Sequence, residues 1–159
     1  MNAMTEHGAE GLELSSLQDL YQQVILDHYR RPRGKGPLED ATHSLTLNNP
    51  LCGDVIEVLL RVEGGRIAEI RFRGRGCSIS QASASMMSGV LEGKTLEASL
   101  RVMHTFTRML HGDADAAGDP ELGDLRALAG VSRFPVRVKC ALLAWNCLDE
   151  LIGSESPSA

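Results

Sequence analysis

The spacing of apolar and polar residues changes character twice along the chain. Leu17, Leu20, Tyr21, Val24, Ile25 and His28 recur at the three- and four-residue intervals of a helix face. Ser16 with Asp19 resembles a capping box, with Asp in place of the usual Glu or Gln. This helix is predicted to stop near Arg31, because Pro32 disfavours the helical conformation of the residue before it. Gly34, Gly36 and Pro37 predict a loop. The period then falls to two. Residues 44–48 alternate weakly, residues 54–63 are rich in β-branched side chains, and Gly64-Gly65 is a hairpin signal. In residues 66–75, Ala68, Ile70 and Phe72 are expected on one face and Glu69, Arg71 and Arg73 on the other. That pattern predicts an antiparallel sheet with one buried and one wet face.

The remainder reads helical. Residues 78–91 are small and apolar, and Ser80, Ser83 and Ser85 permit close packing; Ser78 and Ser80 are candidate caps. Residues 95–111 carry Leu96, Leu100, Met103 and Leu110 on one stripe, with Gly112 at the stop. An acidic loop over 113–120 and a short helix over 121–129 follow. A last helix over 136–152 opens after Phe134-Pro135 and ends at Gly153. Strands first and helices after predict an α+β fold, a small antiparallel sheet packed on one face by several helices. The expected organisation is a flexible tail over 1–15 (with Met4 as an alternative start), one domain over 16–153, and a short tail over 154–159.

Composition narrows the function. The 16 basic and 21 acidic residues leave a net charge of −5, against the basic excess expected of a nucleic-acid binder. No apolar run reaches the ~20 residues of a membrane span, and the start lacks the marks of a secretory signal. The expectation is a cytoplasmic protein with no nucleic-acid or membrane partner. In a reducing compartment its four cysteines read as metal ligands, reactive thiols or core residues.

No C-x-x-C pair occurs, so local setting decides. Cys52 and Asp54 are two apart, sharing a face if extended, with flexible Gly53 between them. Cys77 stands where a strand hands over to a helix. Cys140 falls in the early turns of the last helix, where the dipole is expected to favour its thiolate. Three thiolates and one carboxylate suit a tetrahedral zinc ion; they would leave a double negative charge, with Arg73, Arg75, Arg137 and Lys139 as the local cations. A free cysteine is also among the most buried of residues, and spacing alone leaves ligand and core equally open. Cys147, two helical turns beyond Cys140 on an apolar face, is expected in the core. His28, His43, His104 and His111 are taken as structural, and Trp145 as packing.

Four motifs in order now carry a resemblance: YQQVILDHYRRP over 21–32, NNPLCGD over 48–54, GRGCSISQASAS over 74–85 and VRVKCALLAW over 136–145. The chain resembles the U-type iron–sulfur cluster assembly proteins, the family of IscU, SufU and the N-terminal part of NifU. Lys139, where the IscU type has His, and the long 112–133 segment, matching a SufU insertion, place the resemblance nearest the SufU branch. It implies a SufE/IscU-like fold and a zinc site of Cys52, Asp54, Cys77 and Cys140. It also implies a SufS-type PLP-dependent cysteine desulfurase as partner, with Cys52 accepting persulfide sulfur, in a sulfurtransferase-like accessory role that stimulates the desulfurase. Arg137, one turn before Cys140, would either neutralise the site and hold the incoming persulfide or be a solvated helix-start arginine. The expectation is that the desulfurase frees Cys52 from zinc, Asp54 being the hard ligand among soft ones. The alternative is a scaffold that assembles a transient [2Fe–2S] cluster on the same ligands. A purely structural zinc site is disfavoured by the Asp ligand.

Overall fold

Three strands form one antiparallel sheet in the order β1 (His43–Asn49), β2 (Asp54–Glu63), β3 (Arg66–Arg75). The computed structural model describes residues 18–153; the Ser16 cap and both tails lie outside them. The first helix, α1, covers 18–30 and stops two residues before Pro32, as the clash of the proline ring with a preceding helical residue requires. The loop behind it is laid along β3: Lys35 bridges Phe72 in parallel, Gly36 N–H donates to Phe72 O at 3.0 Å and Phe72 N–H to Gly34 O at 2.8 Å.

The buried face of the sheet carries Ile56, Val58 and Leu60 of β2 with Ile70 and Phe72 of β3, all fully inaccessible. The expected alternation fails at one point. Arg61 pairs with Glu69 but Val62 pairs with Ile67, so Ala68 is an extra, bulged residue. The shift turns Ile67 into the core, 0% exposed, and leaves Ala68 only half-buried. The opposite face is wet and charged: Arg61 reaches Glu63 at 2.6 Å and Glu69 at 2.8 Å, and Arg73 reaches Glu57 at 2.6 Å.

Helices α2 (Ser78–Leu91), α3 (Leu96–Leu110), α4 (Ala114–Ala117) and α5 (Pro135–Ile152) complete the fold, with a 3₁₀ stretch over Pro120–Arg133. Helices α2 and α5 pack on the sheet and on each other. Helix α3 is capped by Thr95, whose Oγ1 accepts from Ala98 N–H at 3.1 Å. The expected serine caps of α2 are absent. Cys77 is its N-cap residue, with no side-chain cap bond, and Ser80 Oγ donates back to Cys77 O at 3.1 Å. Within the core Trp145 tilts against Phe106 at 5.0 Å between ring centroids, and its Nε1–H donates to Ser83 Oγ at 3.1 Å. Cys147 is fully buried, as expected, and burial pushes its thiol up to about 11.

The segment between α3 and α5 differs most from expectation. Asp113 accepts from Asp115 N–H at 2.9 Å and starts the short α4 within the acidic loop. The anticipated short helix over 121–129 is a 3₁₀ stretch that runs to Arg133. It breaks at Gly123, where φ is +53°, a value that glycine adopts without steric cost. Leu122, Leu125, Leu128 and Val131 anchor it in the core. No helix among the described residues is long and apolar enough to cross a membrane.

Candidate metal centre

A tight turn carries Cys52. Pro50 follows β1, and the carbonyl of Asn49 accepts from Cys52 N–H at 3.2 Å and from Gly53 N–H at 2.9 Å. The turn closes through Gly53 at φ +68°. Asp54 opens β2 with its side chain on the buried face, fully inaccessible. Cys140 stands on α5, 2% exposed.

These elements converge on one point. Cys52 Sγ lies 2.8 Å from Cys140 Sγ. The ligand atoms of Cys52, Asp54 and Cys140 all fall within 4.8 Å of one another. Ligand sulfurs on one zinc ion stand roughly 3.8 Å apart for Zn–S bonds of about 2.3 Å, so these distances bracket the span that one ion needs. The donor set, thiols with one carboxylate, is a set that zinc takes.

Cys77 sits at the rim of this cluster. Its N–H donates to Asp54 Oδ1 at 2.9 Å and its Sγ lies 3.8 Å from Asp54 Oδ2, but its side chain is exposed and outside the three-residue cluster. Asp54 therefore joins the sheet to the start of α2. Its approach depends on Gly76: a Cβ there would overlap the Asp54 carboxylate.

Burial pushes the Cys140 thiol strongly upward, and Cys52 and Asp54 beside it add to the shift. The expected helix-dipole help is missing because Cys140 is the sixth residue of α5, past the first turn where that field acts. A cation at the cluster is what would keep this sulfur ionised.

Asn49 was not foreseen. It is 7% exposed, and its Nδ2 points at both sulfurs, 3.6 Å from Cys52 and 3.9 Å from Cys140, while Oδ1 accepts from Leu51 N–H at 3.1 Å. The signal was the Asn-Pro pair opening the cysteine turn, since Asn commonly bonds to the backbone of a turn it begins. Arg137 sets its guanidinium over the Phe134 ring at 5.3 Å. Arg73 is occupied by Glu57. His28 is buried and bonded to Ser85 Oγ at 2.7 Å and Asp124 Oδ2 at 2.8 Å.

Residues 20–141 match the family model described as NifU-like N terminal domain. The chain is 43% identical over 141 residues to the zinc-dependent sulfurtransferase SufU of Bacillus subtilis, covering 89% of this chain and 95% of that protein. It is 44% identical over 141 residues to the iron–sulfur cluster assembly scaffold protein IscU of Streptococcus pyogenes serotype M1, covering 89% and 87%. The crystal structure of a nitrogen-fixing NifU-like protein (N-terminal) from Brucella abortus shares the fold, with a TM-score of 0.77 at 23% identity over 89% of this chain and 97% of that one. The match over most of the chain, with the Cys52–Asp54 turn and the β3–α2 junction inside it, establishes that this protein belongs to the NifU-like N-terminal domain family of iron–sulfur cluster assembly proteins.

Proposed function

We propose that the chain is a zinc-dependent sulfur acceptor, which takes persulfide sulfur from a PLP-dependent cysteine desulfurase of the SufS type for cluster assembly. The observation that carries this reading is the convergence of Cys52, Asp54 and Cys140, with Cys52 half-exposed on a turn. Cys52, Asp54, Cys140 and the adjacent Cys77 would hold the ion. Zinc bound there supplies positive charge that keeps the thiols ionised at neutral pH. The 43% identity to a protein named for zinc-dependent sulfur transfer supports the same reading.

The chain's own residues then set up the transfer. Cys52 is the ligand placed to leave the ion, because it stands half-buried on a glycine-closed turn whereas Cys140 is buried on a packed helix. Asn49 Nδ2 stabilises negative charge on the Cys52 sulfur. The Cys52 thiolate attacks the outer sulfur of the partner's persulfide. The partner's S–S bond breaks, an S–S bond to Cys52 forms, and the partner cysteine leaves as thiolate with no net oxidation. Cys77, beside Asp54, is the most exposed of the four candidate ligands.

The test is metal analysis of the full chain, wild type beside Cys52→Ser and Asp54→Ala, followed by mixing with a SufS-type desulfurase and cysteine. The expected result is about one zinc per wild-type chain, faster desulfurase turnover on mixing, and one added sulfur on Cys52 by mass spectrometry. A fully active Cys52→Ser acceptor overturns the role of Cys52. The name of the Streptococcus relative favours a second reading, a scaffold for a transient [2Fe–2S] cluster on the same residues. Iron and acid-labile sulfide in place of zinc select it.

A further inference from the structure

Beside Cys77 lies a small open cavity of about 190 Å³ lined by Tyr29, Lys35, Gly74, Arg75, Gly76 and Gln81. Three segments build it. The bridge between Lys35 and Phe72 holds the loop after α1 against β3, which sets Lys35 near the strand's last residues, Gly74 and Arg75. The first turn of α2 supplies Gln81. Glycines at 74 and 76 leave the wall without side chains.

Gln81 is the informative residue. It is 4% exposed, and its Oε1 accepts from Lys35 Nζ at 3.3 Å. That bond fixes the amide orientation, since exchanging O and N would turn the NH₂ group against an ammonium. Its Nε2 is then a buried donor with no acceptor. Buried donors in folded proteins are paired in the great majority of cases, so an orphan asks for a missing partner. The charged groups in the lining, Lys35 and Arg75, are donors too. Among the described residues neither forms an ion pair with a carboxylate. The lining therefore includes residues that carry an ammonium, a guanidinium and a carboxamide N–H, with Tyr29 beside them. The lining holds two cations and no carboxylate, while the buried Asp54 carboxylate lies directly behind Gly76. A monoanion therefore meets less repulsion from that side than a phosphate dianion.

We propose that this cavity is a carboxylate-binding subsite at the Cys77 edge of the metal centre. The carboxylate comes either from a small free organic acid or from an aspartate or glutamate of a docked protein, and both make the same contacts. The proposal stands on Lys35, Arg75 and Gln81 and does not depend on which metal occupies the neighbouring cluster.

The experiment follows the Gln81 side-chain NH₂ and the Gly76 N–H resonances of the isotope-labelled full chain during titration at constant ionic strength. The titrants are sodium acetate, a blocked glutamate peptide, its glutamine counterpart, inorganic phosphate and chloride. Saturable shifts with acetate are expected for a free acid. Shifts with the glutamate peptide alone are expected for a protein-borne carboxylate. Gln81→Leu and Lys35→Gln should each weaken binding by about tenfold or more. Gln81→Leu should also raise the melting temperature without added ligand, because it removes an unsatisfied buried donor; a glutamine with a purely structural role would lower it. If Gln81→Leu fails to fold, the Lys35→Gln titration decides. No shift with either carboxylate, or phosphate bound as tightly as acetate, overturns the proposal.

Discussion

Gly76 lacks a side chain where the Asp54 carboxylate passes, and that single vacancy lets a sheet residue accept the backbone N–H of Cys77, just before α2, while lying in a thiol cluster. The Gly76→Ala variant should therefore push the Asp54 carboxylate aside, together with the Ser80 hydroxyl, without replacing any cysteine. Groups that orient metal ligands typically change metal affinity by roughly 10–100-fold when altered, and a loss of that size in a competitive zinc titration is expected. Unchanged zinc affinity in a folded Gly76→Ala protein would remove Asp54 from the ligand set. At this scale the sequence was informative about residue type and silent about direction. Cys52 and Asp54 were legible as a pair because they are two apart around a glycine. Their meeting with Cys140, 88 positions beyond Cys52, was not, since only tertiary packing brings α5 to that turn. Asn49 stayed hidden because turn-forming asparagines are common and few of them face sulfur.

Elements were legible where the local pattern and the tertiary environment agree. Helix α2 begins and ends where its run of small and apolar residues does. The bulge at Ala68 was illegible, because alternation is equally satisfied with or without one extra residue until the partner strand fixes the register. The 3₁₀ stretch was illegible because helix propensity does not distinguish the two helical forms, and four buried apolar side chains decide its course. What ties this stretch to the rest is a clasp. His28 Nε2–H donates to Asp124 across to the 3₁₀ stretch, His28 Nδ1 shares a hydrogen bond with Ser85 Oγ, and Ser85 Oγ accepts from Arg33 N–H at 2.8 Å. The arrangement has the residue types of a hydrolytic triad, but Ser85 is fully buried and no substrate reaches it. Its role is structural. Ser85→Ala leaves the Arg33 N–H and one imidazole nitrogen without partners, at a cost of about 1–3 kcal/mol. Denaturant unfolding should report that loss with zinc content unchanged. Wild-type stability in the variant would show that water replaces the hydroxyl.

Across the whole molecule, the candidate ligands lie at the edges of the sheet and helices while the apolar core lies between the layers. The turn before β2 and an early turn of α5 meet at the cluster, with the start of α2 at its rim, so an ion there would tie together segments distant in sequence. The core is extensive and reaches the cluster only at Cys140 and Cys52: it runs from Ile56 and Phe72 through Met86, Phe106 and Trp145 to Ile152, these six 1% exposed or less. The metal is thus expected to add to the stability of a fold that forms without it, unlike a zinc finger, whose fold depends on the ion. A ligand that binds only the native state at one hundred times its dissociation constant contributes about 2.7 kcal/mol. For a domain of this size that corresponds to a melting temperature roughly 5–10 °C higher. Treatment with EDTA should lower the melting temperature by about that much and leave the far-ultraviolet circular dichroism at room temperature unchanged. Asp54→Ala, with its site weakened, should melt near the chelated wild type and respond less to EDTA. Collapse of the spectrum on chelation would mean that the cluster, and not the two-layer core, holds the chain together; no change in melting temperature would mean that the three segments carry no ion at all.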